Sequence, residues 1–401
     1  MTHDSERVRP LAELAVRFGA NVQPGQIVGI SSEPGKEALA RAVAEVAYEQ
    51  GAKFVEVNVF DVHVKHSRLK HARPDTLDYV PPWYGARVLA YGEQRAASIA
   101  LTGRVAPGLI DDVDPALRGR DMLPWVKETL SVVNERKLNW TVVPCPTQDW
   151  AELVYPELAP DQAFGRLWSD IAHVCRLDES DPIAAWRARF ERLMGIATKL
   201  TELRLDALRY EGPGTDLTIG LLPSSSWDAG MMRTVDGIEH APNIPSEEVY
   251  TTPDPERADG VVRSTKPLFT SGGLIRGLQI RFEGGRAVEI DADEGADTLR
   301  TLAAHDDGAA RLGEAALVDR ESRIGALDTI FYDTLLDENA ASHLALGRAL
   351  EQTVDAAEDR ARMNTSQIHI DFMIGSNELA VTGLTKDGRE LPLLRGGAWQ
   401  I

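Results

Sequence analysis

Two periodicities alternate along the first half of the chain. VRPLAELAVRFGANV places apolar residues at helical spacing and closes on Gly-Ala-Asn, a helix followed by a stop. GQIVGISS is a short run rich in β-formers, GKEALARAVAEVAYEQGA returns to helical spacing, and KFVEVNVF is again extended. Strand, helix and strand with short connections are the signature of a parallel α/β unit. RAASIALTG and WTVVPCPT predict two further strands of the same sheet, and PIAAWRARFERLMGIATKLTEL predicts a long amphipathic helix leading out of it.

The second half changes character. ALRYEGPGTDLTIGLL and GGLIRGLQIRFEGGRAVEIDAD predict hairpins that turn at Gly-Pro-Gly and Glu-Gly-Gly. ADTLRTLAAH and ENAASHLALGRALEQTVDAA are helical in pattern, and SQIHIDFMIG and NELAVTG close as strands. The expected fold class is α/β, with an N-terminal parallel-sheet α/β domain over 1–190 followed by a mixed α+β domain over 191–401.

Charge and cysteine content narrow the field. The chain has 401 residues and a net charge of −19, which argues against nucleic acid or an anionic membrane surface as partner, since both call for basic patches. No apolar run approaches the ~18 residues of a membrane span. The opening MTHDSERVRP has no apolar core of a signal peptide, so a cytoplasmic location is expected. Cys145, between prolines, and Cys175, in an apolar helical stretch, cannot make a disulfide framework and read as packed thiols.

The chemistry-bearing residues crowd into 191–401, which makes that part the expected metal-binding, catalytic domain. Asp333, Asp337, Glu338, His343, His369 and Asp371 fall close together, with Glu247, Glu248 and Glu314 upstream. In QIHIDFMIGS, His369 and Asp371 flank Ile370, and residues two apart in a strand share a face. An unpaired imidazole and carboxylate are costly to bury, so they must meet each other or a cation. In NIPSEEVYTTP, Pro245 and Pro253 hold an extended backbone in which Glu247 and Glu248 face opposite ways. One of them can then bind metal while the other stays free as a general base. Glu314 follows a glycine in RLGEAALV. In LLDENAASHLALG, Asp337 or Asn339 is placed to cap a helix, with Glu338 at its mouth and His343 in its first turns beside Ala340, Ala341 and Ser342.

Three glutamates, two histidines and an aspartate form an oxygen-rich set with one imidazole for each of two centres. That suits a pair of zinc, cobalt or manganese ions better than one structural zinc, which prefers cysteine. Two ions about 3.5–4 Å apart lower the pKa of a bridging water toward 7 and clamp a carbonyl. A free glutamate passes the proton from that water to a leaving amine. Peptide-bond hydrolysis follows. The histidines of HVKHSRLKH, by contrast, are interleaved with cations, and SSEPGKEAL, LPSSSW and TSGG lack the spacing of a phosphate loop or nucleophile elbow.

The strings NIPSEEVYTTP, RLGEAALV, FYDTLLDENAASHLALG and HIDFMIGS closely resemble the aminopeptidase T and aminopeptidase S family of metallo-exopeptidases. LAVRFGANVQPGQ and WTVVPCPTQDWA extend the likeness through essentially the whole chain. The resemblance implies two divalent metal ions per chain, zinc, cobalt or manganese with magnesium tolerated. They would be held by Glu248, Glu314, Glu338, His343, His369 and Asp371, with Glu247 as acid/base. It implies peptides with a free N-terminus as substrates and a homodimer whose active sites are screened in a cavity. One position departs: the family carries a tyrosine seven residues after the first histidine, and Leu350 stands there. Two other readings stay open. The fold also resembles that of mononuclear iron(II) dioxygenases that open dihydroxypyridine rings, although those keep fewer carboxylate ligands. Leu350 leaves room for a weakly active paralogue that binds metal and peptide.

Overall fold

The computed structural model describes residues 5–270 and 273–401; Ser271 of the TSGG stretch lies outside them. The chain forms two units. The first comprises the chain up to Arg187 together with Met231–Pro245, and the second comprises Ala188–Gly230 and Ser246–Ile401. A single cut does not divide the chain, because the 231–245 segment returns to the first unit.

In the first unit the four expected strands form one parallel sheet, ordered Phe54–Val59, Ile27–Ser32, Ala97–Thr102, Asn139–Pro144. The inner strand Ile27–Ser32 is mostly buried, as a strand covered on both faces should be, with Val28 and Ile30 wholly enclosed. Helix Glu37–Glu49 turns Leu39, Ala40, Val43, Val46 and Ala47 inward at helical spacing. Cys145 and Cys175 are buried free thiols, as expected, and burial pushes Cys145 up to about 12.

The second unit is antiparallel. Its eight-stranded sheet runs Arg286–Asp291, Gln279–Glu283, Pro253–Arg263, Thr215–Leu221, Ala207–Gly212, Ala380–Leu384, Glu390–Arg395, Ala398–Trp399. Both predicted hairpins are in it, one turning at Gly214 and the other at Gly284 and Gly285, glycines in the left-handed region that this residue tolerates. Strand Glu248–Thr251 leads through buried Thr252 into Pro253–Arg263, so the chain passes there from a five-stranded sheet into the eight-stranded one. Among the described residues no helix is long and apolar enough to cross a membrane.

One predicted element is wrong. The Ala- and Leu-rich stretch after Glu338 was expected to be helical, but the helix is short, Thr334–Glu338, and His343–Gly347 is a strand. This strand is paired on both sides, with Leu312–Val318 and with His369–Met373, and all of its residues are buried. Two ladders of backbone hydrogen bonds outweigh the few tenths of a kcal/mol per residue by which alanine and leucine favour a helix. Gly347 closes the strand at φ 99°, outside any helical conformation.

Candidate metal centre

The five-stranded sheet runs His369–Met373, His343–Gly347, Leu312–Val318, Glu248–Thr251, Trp227–Asp228. In an antiparallel pair, residues directly opposite share a face, as do residues two apart along a strand. The register sets Gly347 opposite His369, Ala345 opposite Asp371, and Glu314 opposite Ala345. It also sets Ala316 opposite His343, Tyr250 opposite Ala316, and Glu248 opposite Val318. One face therefore carries Glu248, Tyr250, Glu314, His343, His369 and Asp371. The glycine before Glu314 has a steric cause: a Cβ at Gly313 would clash with the carbonyl oxygens of Gly347 and Arg348.

On this face the side chains form two clusters that share Glu314: Glu248, Glu314 and His343, and Glu314, His369 and Asp371. His343 Nε2 stands 3.2 Å from Glu248 Oε2 and 3.9 Å from Glu314 Oε1. His369 Nε2 stands 3.0 Å from Glu314 Oε2 and 3.2 Å from Asp371 Oδ1. Each imidazole turns its other nitrogen to a backbone carbonyl: His343 Nδ1 lies 3.2 Å from Ala341 O, and His369 Nδ1 2.8 Å from Arg348 O. A carbonyl only accepts, so Nδ1 carries the hydrogen and a neutral ring offers the Nε2 lone pair inward. Metal-binding histidines are oriented in this way. Glu248 Oε2 is buried with no hydrogen-bond donor of its own, so beside a neutral His343 ring two lone pairs would confront each other at 3.2 Å unless a proton or a metal ion stood between them. That arrangement calls for a cation between them. The donor set, carboxylate oxygen and imidazole nitrogen without thiolate, fits borderline and hard divalent ions.

Without a metal, the surrounding carboxylates draw a proton onto each ring in the place a metal ion would take. Burial alone would lower the His343 pKa, but the carboxylates of Glu248, Glu314 and Asp371 outweigh it and hold it near 10. His369 is likewise depressed by burial and raised well above its ordinary value by Asp371 and Glu314. Burial pushes Glu314 up, with Asp371 and Glu248 adding repulsion, while His369 pulls the other way. The site holds more negative charge than its two imidazoles can answer.

Glu338, at the end of helix Thr334–Glu338, lies outside both clusters but within electrostatic reach of them; burial and the charges of Asp371, Glu248 and Glu314 raise its pKa well above the ordinary value, with His343 opposing. Asp333 and Asp337 belong to neither cluster. Asp337 does not cap a helix start; its carboxylate accepts the Phe331 and Asp333 amides at 2.8 and 3.1 Å. Asn339 follows the helix rather than opening it, and its Oδ1 accepts the Glu247 amide at 2.6 Å.

Glu247 does not stand free, as the extended-backbone reading expected it to. Alternation turns it away from Glu248, as expected, but Arg189 Nε donates to Glu247 Oε2 at 2.6 Å. Arg189 also donates to both oxygens of Asp319, at 3.1 and 3.0 Å. A carboxylate enclosed without a cation would be costly to bury, and helix Pro182–Glu202 supplies that cation.

Sequence reasoning missed Arg189 and Tyr250 and gave Asn339 a different role. Arg189 and the bond from Asn339 to Glu247 carry no local signal, because the partners are remote in sequence. Tyr250 was legible: it stands two residues from Glu248 in an extended run and so shares its face. It is half-buried, and burial with the charges of Asp228, Glu248 and Glu314 keeps it protonated, with the nearby Gln352 side chain opposing.

Comparison with known proteins places this geometry in context. A family profile described as "Thermophilic metalloprotease (M29)" matches residues 4–399. The chain is 40% identical over 405 residues to "Aminopeptidase T" of Thermus aquaticus, covering 99% of each. It is 37% identical over 398 residues to "Aminopeptidase 2" of Geobacillus stearothermophilus, covering 97% of this chain and 96% of that one. Among solved structures, wild-type AmpT from Thermus thermophilus superposes with a TM-score of 0.93 at 38% identity, covering 99% of this chain and 100% of that one.

Proposed function

The chain belongs to the M29 family of metalloproteases and is a metallo-exopeptidase, and from this premise we propose that it removes N-terminal residues from peptides at a pair of divalent cations seated on one face of the five-stranded sheet. The observation that carries the reading is the division of Glu314: Oε1 faces His343 and Oε2 faces His369. Glu248, Glu314 and His343 are assigned to one ion, Glu314, His369 and Asp371 to the other, and Glu338 to the remaining ligand position. The charge count supports two ions over one, since four carboxylates with two neutral imidazoles are balanced by two dications. Zinc, cobalt and manganese suit these donors, and magnesium is tolerated.

When bound, such ions polarise the scissile carbonyl and bring the pKa of a water toward neutrality. The chain's own residues do the rest. Ala341 O and Arg348 O fix the two rings, so that each Nε2 points inward before any ligand arrives. Water adds to the carbonyl carbon, its proton passes through a carboxylate of the site to the amine, and the C–N bond breaks. Glu247, held by Arg189 and Asn339, acts in this reading by position rather than as the free base: it sets the backbone that aims Glu248. The proposal extends to peptides with a free N-terminus as substrates, to a cytoplasmic location and to a homodimer, the last on family resemblance.

The test is hydrolysis of aminoacyl-anilides before and after exhaustive chelation, with elemental analysis of the active protein. Activity should vanish with the metal and return with zinc, cobalt or manganese, at two ions per chain. Hydrolysis that survives complete metal removal refutes the reading. One iron per chain without hydrolysis would favour the dioxygenase instead.

A further inference from the structure

We propose that Tyr250 supplies the hydrogen-bond donor to the substrate carbonyl oxygen as negative charge develops on it; this rests on the hydrolytic reading above. Three features of the structure support the assignment.

The first is placement. Tyr250 is two residues from Glu248 on strand Glu248–Thr251 and opposite Ala316, which is itself opposite His343. Its side chain therefore rises from the face that carries both ligand clusters, and it lies close enough for the charges of Glu248 and Glu314 to act on it. The second is scarcity. Apart from the ligands, the register puts Asp228, Ala316, Val318, Ala345, Gly347 and Met373 on this face; Asp228 brings a carboxylate, and the other five have no polar hydrogen on their side chains. Tyr250 is the neutral O–H donor among them. A phenol keeps its proton through the neutral range, so it can donate without giving the proton up.

The third feature is rigidity. The phenol lies near the side chain of Gln352, which sits in the 3₁₀ turn Glu351–Thr353. That turn is anchored to the strand bearing Tyr250. Thr252 Oγ1 donates to Leu350 O at 3.0 Å and accepts from Leu350 N at 3.1 Å, and Thr353 Oγ1 donates to Thr252 Oγ1 at 2.9 Å. A donor fixed before charge develops stabilises that charge without reorganising, and loss of one such donor costs about 10²–10³ in kcat. Tyr250 is half-buried.

The test uses the full chain loaded with zinc or cobalt. Tyr250→Phe, which removes only the hydroxyl, should lower kcat about 10²-fold and leave KM within about twofold. Metal affinity by calorimetry should stay unchanged. The affinity for a phosphinate dipeptide, which mimics the tetrahedral species, should fall by about the same factor as kcat, while the affinity for the product amino acid holds. Gln352→Leu, which removes the amide beside the phenol, should shift kcat and phosphinate affinity the same way by a smaller factor. A wild type that hydrolyses with metal beside a Tyr250→Phe variant that keeps its kcat overturns this inference alone. So does a variant that loses metal affinity, because the hydroxyl would then serve the ion site. A wild type without metal-dependent hydrolysis overturns the parent reading and this inference with it.

Discussion

Replacing Arg189 by methionine removes a cation from between two enclosed carboxylates. Arg189 is 7% exposed, Asp319 4% and Glu247 0%, so water cannot take over the lost interactions. Asp319 keeps two donors, the Glu321 amide at 2.9 Å and the Trp399 indole at 2.8 Å. Glu247 loses its guanidinium at 2.6 Å. Methionine fills much of the aliphatic volume, so the cavity contribution is small and the cost is electrostatic. Removing one partner of a buried ion pair costs about 3–5 kcal/mol. Urea denaturation at pH 7.5, comparing wild type and variant, measures this directly. A second change, Glu247→Gln in the variant background, should recover about 1–3 kcal/mol, because an amide tolerates loss of the guanidinium better than a carboxylate does. The Glu247 amide is tied to Asn339, next to Glu338, and Glu247 precedes Glu248, so metal affinity should also weaken about 10–100-fold. A loss below about 1 kcal/mol in the single variant, with metal affinity intact, would refute the claim that this buried pair braces the ligand strand.

Two further outcomes follow from local geometry. His240 is buried with no hydrogen-bond partner at Nε2, and burial lowers its pKa to about 4, with only the Ile238 carbonyl opposing. Its unfolded value is about 6.5, so both states are neutral above pH 7; as pH falls through 6.5 toward 4 the unfolded chain takes up a proton that the folded chain refuses, and stability declines by roughly 3 kcal/mol. His240→Gln should flatten this acid slope in urea titrations between pH 7 and pH 4.5; identical slopes would count against it. Gly313→Ala would drive a methyl into the carbonyl oxygens of Gly347 and Arg348, backbone atoms that cannot yield cheaply. We expect a loss of about 1–3 kcal/mol together with weaker metal binding by calorimetry, and a variant of unchanged stability would refute the steric account.

Local pattern determined much of this protein. The apolar alternation of GQIVGISS, KFVEVNVF, RAASIALTG and WTVVPCPT specified strands, and their helical connectors made them parallel. The two-residue repeat placed His369 with Asp371 and turned Glu247 away from Glu248, because side-chain direction along a strand follows from the backbone alone. Tertiary structure decided what lies across from what. His343 became a strand residue because two neighbouring strands hydrogen-bond to it, against the helical preference of its own alanines and leucines. Glu314 came to stand between two imidazoles, and Glu247 met Arg189 instead of remaining a free base, through pairings far apart in sequence. Periodicity is a property of a few consecutive residues, whereas a buried charge finds its counterion only when the chain has closed around it, and no short stretch of sequence contains that information.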